Sequence, residues 1–291
     1  MGQFNLVSFC IKEKLSQAAS ITKLFGASPS VDLGSVSFDL QKLIFTELME
    51  KIEKHENYQP FCSNPTGQRL LAQRGDYVLE DKYMIHDADI LWLTGSASYD
   101  CSLLAWHIAT DLCYYDDVAK HCNGNPENVH PSCKISKCLS EYVQYLMVLC
   151  PTMMPEGFSD SRYTQTCKEV KSFFAKKIAV MKKKTNEPRQ IFLQQKLDDS
   201  TVQTRVNSHL SVFKSGCWLG KQLQLLESKE DWDYERKWKM ISEVWVEILG
   251  YTASHCAWNV HGQYLRRGGE LLTHVCLLVA HLGLNSQYGF F

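Results

Sequence analysis

The segment from Asp100 to Asp117, DCSLLAWHIATDLCYYDD, constrains this chain more than any other. Leu103, Trp106, His107, Thr110 and Tyr114 fall on one helical face, and Leu104, Ile108, Leu112 and Tyr115 on the stripe beside it. Two adjacent apolar stripes describe a helix that must be covered over most of its circumference, so the rest of the chain has to wrap around it. The same segment places His107 and Asp111 four positions apart, where helical side chains can meet. It is the expected centre of the core and also a place where chemistry could sit.

The flanking sequence has the spacing needed to do the wrapping. Leu40, Leu43, Ile44 and Leu48 recur at helical intervals, with Ser37 or Asp39 available as an N-cap. Leu139 to Met147 continues the pattern until Pro151, and Tyr163, Cys167, Val170, Phe174, Ile178 and Met181 form a further stripe. Val206, Leu210 and Phe213 precede an expected break at Gly216. Met240, Val244, Ile248 and Tyr251 predict a long amphipathic helix, and Leu271 to Leu282 a last one capped by Gly283. No two alternating runs are joined by a hairpin turn, so strand signals are poor. The chain is expected to be all-α, an irregular multi-helix globule or a pair of helical sub-bundles. A polar stretch sets the expected division: a helical region over 1–185, a linker or surface loop over 186–200, and a C-terminal helical region over 201–291.

With 45% hydrophobic and 22% charged residues, the chain has the composition of an ordinary folded protein. A net charge of -1 argues against a nucleic-acid binder, which would be strongly basic. Twelve cysteines without a secretory signal read as reduced thiols, most of them acting as small buried hydrophobes. Tyr142–Met154 and Leu271–Leu284 are the most apolar runs, and both fall short of the ~20 residues a membrane span needs. Gly216–Lys221 lacks the spacing of a phosphate loop, and Gly95-Ser96-Ala97-Ser98 lacks the second glycine of a nucleophile elbow, so no cofactor is expected.

Four constellations carry residue types suited to chemistry or binding. His107 with Asp111, helped by Asp100, Asp116 or Asp117, could form a hydrolytic or metal-assisted centre; the plainer reading is a core histidine satisfied by a local carboxylate. His121, Cys122, His130, Cys133 and Cys138 offer metal-ligand types, without the paired Cys-x2-Cys spacing of structural zinc sites. His255, Cys256, His261, His274 and His281 populate the C-terminal helices near Glu243, Glu247 and Glu270, as a buried polar network or as the polar edge of a bundle. Arg162–Arg189 holds nine Lys or Arg against Glu169 and Glu187. Of these, Lys168, Lys171, Lys176 and Lys182 lie off the apolar stripe and, with Lys183 and Lys184, are a candidate lipid or partner surface. An ordinary solvated face is the alternative.

Three stretches taken in order carry a family resemblance: LLAWHIATDLCYY (Leu103–Tyr115), LSEYVQYLMVLCPTMMPEG (Leu139–Gly157), and SEVWVEILGYTASHC with GGELLTHVCLLVAHLG (Ser242–Gly283). Together they resemble a plant family of unknown activity, domain of unknown function 594, preceded by the tail of domain of unknown function 4220. The resemblance implies a cytoplasmic-facing helical domain beside membrane spans, binding protein partners or an anionic lipid surface rather than catalysing a reaction. Similar family members begin with transmembrane helices followed by a segment like Gly2–Phe9, so Met1 is expected to mark a truncated product or an internal start. The chain as written would be soluble or peripheral. A hydrolase or metal-assisted enzyme centred on His107 and Asp111 is the alternative.

Overall fold

The computed structural model describes residues 1–19, 32–54, 70–155, 160–180 and 211–284. Its principal helices are α1 (Leu6–Ala19), α2 (Phe38–Glu53), α3 (Tyr99–His121), α4 (Pro131–Leu149), α5 (Asp160–Val180), α6 (Val212–Leu226), α7 (Tyr234–His255), α8 (Trp258–Leu265) and α9 (Leu271–His281). The fold is all-α, as the periodicity predicts. The only sheet among the described residues is a two-residue antiparallel ladder, Gly2–Gln3 (β1) against Asp32–Leu33 (β2).

Helix α3 sits at the centre. Every residue from Asp100 to Tyr114 is buried, so both apolar stripes are covered. Helix α6 packs along it most closely at Gly216, where a Cβ would lie 2.7 Å from Ile108 Cβ and 3.0 Å from the Ala105 carbonyl oxygen. The expected break at Gly216 is therefore corrected: the helix runs through it. A glycine inside a helix costs about 1 kcal/mol, and here it lets two backbones approach. Val206 and Leu210 lie outside the described residues.

Helix α7 packs on α4, α9 and α2, and buries two tryptophans. Trp245 Nε1 donates to Thr110 Oγ1 on α3 at 3.0 Å, and Trp106 Nε1 donates to Thr94 Oγ1 at 3.1 Å. Each indole thus finds the partner that a buried N–H requires. Ser37 caps α2, its Oγ accepting from Leu40 N at 3.2 Å. Gly283 follows α9 with φ 72°, and Leu284 N donates back to Val279 O at 3.1 Å, the left-handed stop expected there. The described cysteines are free thiols, and all but Cys138 are buried. One continuous apolar cluster runs from Phe4 to Leu284.

Candidate functional site

His107 has no exposed surface. Its Nε2 accepts from Leu6 N at 3.2 Å, so the ring proton resides on Nδ1, which faces Ser140 Oγ at 2.8 Å. Burial lowers its pKa to about 4, against the charges of Asp111 and Glu141 that pull it back up. A neutral imidazole thereby joins α1, α3 and α4. Asp111 reaches the same junction: its Oδ1 accepts from Asn5 Nδ2 at 2.6 Å, and that amide also approaches Glu141 Oε1 at 3.1 Å. Asn5 caps α1, its Oδ1 accepting from Ser8 N at 2.7 Å. Lys137 closes the group on Glu141 at 2.5 Å. Asp100 serves elsewhere, pairing with Arg162 at 2.8 Å.

A second polar cluster surrounds Lys237, whose ammonium is fully enclosed. Its Nζ lies 2.6 Å from Asp117 Oδ2 and 2.6 Å from Glu227 Oε1, and it also donates to Gln224 Oε1. Trp238 Nε1 and Gln224 Nε2 each donate to Asp117 at 2.8 Å. Asp117, His121 and Glu227 are close enough to offer three ligand atoms to one metal ion. A divalent cation there would face the Lys237 ammonium, which already contacts both carboxylates among the three ligands, so the donor set fits an internal ion pair better than a metal.

The five thiol and imidazole candidates of the Cys122 region take separate roles. His121 stacks on Tyr234 with ring centroids 4.7 Å apart and lies 3.5 Å from Glu227. His130 caps α4, its Nδ1 accepting from Ser132 N at 3.3 Å. Cys122 and Cys133 are buried, while Cys138 Sγ accepts from Gln3 Nε2 at 3.2 Å beside β1. Of the basic surface, Lys168 is exposed on α5 and Lys171 is half-buried over the Phe9 ring. The side chain of Lys176 and the whole of Lys182, Lys183 and Lys184 lie outside the described residues.

The third cluster adjoins a narrow cleft, about 410 Å³ counting its open mouth, between α2, Leu70–Val78 and α7. Glu47 and Lys51 come from α2, and Glu243 and Glu247 from α7. Lys51 Nζ pairs with Glu247 Oε1, while Glu247 Oε2 accepts from Val78 N at 3.3 Å, at the start of a one-turn π-helical segment, Val78–Lys82. Lys82 is held by three carboxylates, Glu47 at 2.9 Å, Glu50 at 2.9 Å and Glu243 at 3.0 Å. Burial, with the charge of Glu47, raises the Glu243 carboxyl to about 7, against the pull of Lys82. A carboxyl that titrates near neutrality beside a cleft is the group here best suited to acid–base work.

Glu243, Glu247 and Asp117 stand out in the sequence, whereas the partners Lys51 and Lys82, and the grouping of Asp117 with Lys237 and Glu227, do not. A signal for Lys237 was present: it sits at i, i+4, i+7 and i+11 with Ile241, Val244 and Ile248, a charge on an apolar stripe.

Residues 230–284 match the family described as Protein of unknown function, DUF594. The DUF594 match spans all of α7, α8 and α9, and so contains Lys237, Glu243 and Glu247, while Asp117, Lys51 and Lys82 lie outside it. No curated protein and no solved structure matches the chain.

Proposed function

We propose that this chain is a non-enzymatic helical binding domain of a plant membrane-associated family and rests against an anionic membrane surface on the cytoplasmic side. In this reading residues 1–185 correspond to the tail of domain of unknown function 4220, and residues 201–291 to domain of unknown function 594. The carrying observation is the state of His107: an enclosed, neutral ring with both nitrogens engaged in joining three helices. A centre committed in this way gives the fold rigidity and leaves function to the surface. Lys168 on α5 supports the lipid half, because it projects from a helix whose opposite face is buried through Cys167, Val170 and Phe174. No described helix is long and apolar enough to cross a membrane, so contact would be made from one side.

The test is cosedimentation of the full chain with phosphatidylserine-containing vesicles and with neutral phosphatidylcholine vesicles. Binding to the first only, weakening as salt is added, is the expected result. No partitioning at low ionic strength would remove the lipid reading.

A second reading is favoured by one observation, the near-neutral Glu243 beside its cleft. It assigns proton-transfer chemistry to α7. Hydrolysis of a small ester or phosphoester by the purified chain, abolished in Glu243→Gln, would support it; equal rates in the two proteins would end it.

A further inference from the structure

The C-terminal helical pair presents an unusual surface. On α8, Trp258 and Leu265 are seven residues apart, hence on one face, and are 49% and 39% exposed. On α9, Leu277 is 37% exposed and lies between His274 and His281 on the outward stripe. Gly268 and Gly269, with φ of 103° and 81°, form the reversal between the two helices, and the exposed Arg266 and Arg267 immediately precede it. The residues beneath are well fixed. His261 Nε2 contacts Ala253 O at 3.0 Å, Tyr142 Oη accepts from Leu272 N at 2.9 Å, and Val275, Cys276 and Val279 are buried.

Charge separates this face from the other exposed apolar positions. Between Cys256 and Leu284 the sole acid is Glu270, and it is half-buried with its Oε2 accepting from the Tyr142 hydroxyl at 3.2 Å. The outward side chains of this stretch are therefore indole, leucine, arginine and imidazole with the amides of Asn259 and Gln263, and it contributes no exposed carboxylate to repel an anion. By contrast, Phe38 and Phe45 on α2 share their helix with exposed Asp39.

We propose that the α8–α9 pair is a lipid-docking surface, with Arg266 and Arg267 on anionic headgroups and Trp258, Leu265 and Leu277 at the acyl boundary. The occupant follows from charge complementarity. A helical pair whose outward charges are all basic, beside a tryptophan and leucines, fits an interface in which the anions lie in a plane and the apolar phase lies behind them. The arginine stems lie along the apolar surface while their guanidinium groups reach phosphate. This inference rests on the anionic-surface reading above and names a second, more specific contact than α5.

The experiment compares partitioning of the full chain into phosphatidylserine-containing vesicles for four proteins: wild type, Arg266→Ala/Arg267→Ala, Trp258→Ala, and Lys42→Ala/Lys229→Ala as a charge-matched control. Each basic side chain at an anionic surface changes partitioning about fivefold, so the double arginine variant should bind about thirtyfold more weakly, with the control within about twofold of wild type. Trp258→Ala should weaken binding to the same vesicles and lose the blue shift that wild-type fluorescence shows on docking. If wild type does not partition at all, the anionic-surface reading fails and this one with it. If wild type partitions and the arginine pair behaves like the control, only this inference is overturned, and a matching loss in Lys168→Ala/Lys171→Ala would place the contact on α5. Unchanged far-ultraviolet circular dichroism in all variants shows that folding is not what is being measured.

Discussion

Glu243→Gln is the most searching perturbation of this molecule, because the size of its effect depends on pH. The carboxyl has no exposed surface and is faced by Glu47 from α2, Lys82 at the end of the π-helical segment with Tyr83 just after it, and Lys239 on its own helix, while Glu50 of α2 shares Lys82. Its pKa rises from 4.5 to about 7, first through burial and next through the charge of Glu47, while Lys82 pulls the other way. A raised carboxyl means that the folded chain keeps a proton which the unfolded chain has lost. Stability contributed by that proton is full below 4.5 and falls away as pH climbs toward about 7. At about 1.4 kcal/mol per pH unit, the ionised form costs the fold about 3 kcal/mol at mildly alkaline pH. Glutamine cannot ionise and leaves Lys82 with two carboxylates. The stability difference, variant minus wild type, should therefore grow by about 3 kcal/mol across the window from 4.5 to 7. Urea denaturation followed by circular dichroism at a series of pH values measures this directly, with the slope m serving as a check on two-state behaviour. His107 contributes the opposite trend. Its pKa falls from 6.5 to about 4, so the stability it supplies is present above 6.5 and lost on acidification. Buried His261, lowered likewise, adds to that loss. The wild-type profile is thus flattened by opposing titrations, and the variant should expose the histidine slope. Parallel curves for the two proteins would refute the assignment of a near-neutral carboxyl at this position.

Two further outcomes follow from the packing. Asp117→Asn leaves the enclosed Lys237 ammonium with Glu227 as its one remaining carboxylate and should cost about 1–3 kcal/mol in urea denaturation; adding Lys237→Met should recover part of that loss, since it removes the under-compensated charge from the interior. Gly216→Ala should destabilise by about 1–3 kcal/mol, although alanine is the better helix former by about 1 kcal/mol, because its Cβ would meet Ile108 and the Ala105 backbone; a gain in melting temperature would show that α3 and α6 are less tightly apposed than described.

The helices were readable because burial imposes a period. Leu40, Ile44 and Leu48 on α2, and Cys167, Val170 and Phe174 on α5, are the positions that are buried. Gly216 misled for an instructive reason. A glycine within a helical pattern signals either an end or a close neighbour, and only the partner helix, with Ile108 in the groove, decides between them. The two-residue ladder of Gly2–Gln3 with Asp32–Leu33 left no trace in the pattern, since so short a pairing needs no alternation.

The polar clusters were harder to read, and the reason is separation along the chain. Lys237 and Asp117 lie 120 residues apart, Lys51 and Glu247 196, and Leu6 and His107 101. A local rule such as i, i+4 spacing ties His107 to Asp111, yet Leu6 and Ser140, which bond His107, and Asn5, which bonds Asp111, come from α1, α4 and the turn after β1. What one sequence does show is the residue that violates its own stripe. Lys237, Glu243 and Glu247 all occupy buried positions of α7, and a buried charge is tolerated only with a partner, because leaving it unpaired costs several kcal/mol. Such a violation therefore predicts that an oppositely charged side chain must arrive from another helix, without saying which one. On α7 the arrivals come from four elements: Asp117 on α3, Glu227 at the end of α6, Lys51 on α2 and Lys82 on the π-helical segment. Ion pairs of this kind stabilise little in net terms, but a mismatched docking of any of these helices would strand a charge. Helix α7, which lies within the DUF594 match, is thereby the element that fixes how the other helices seat around it.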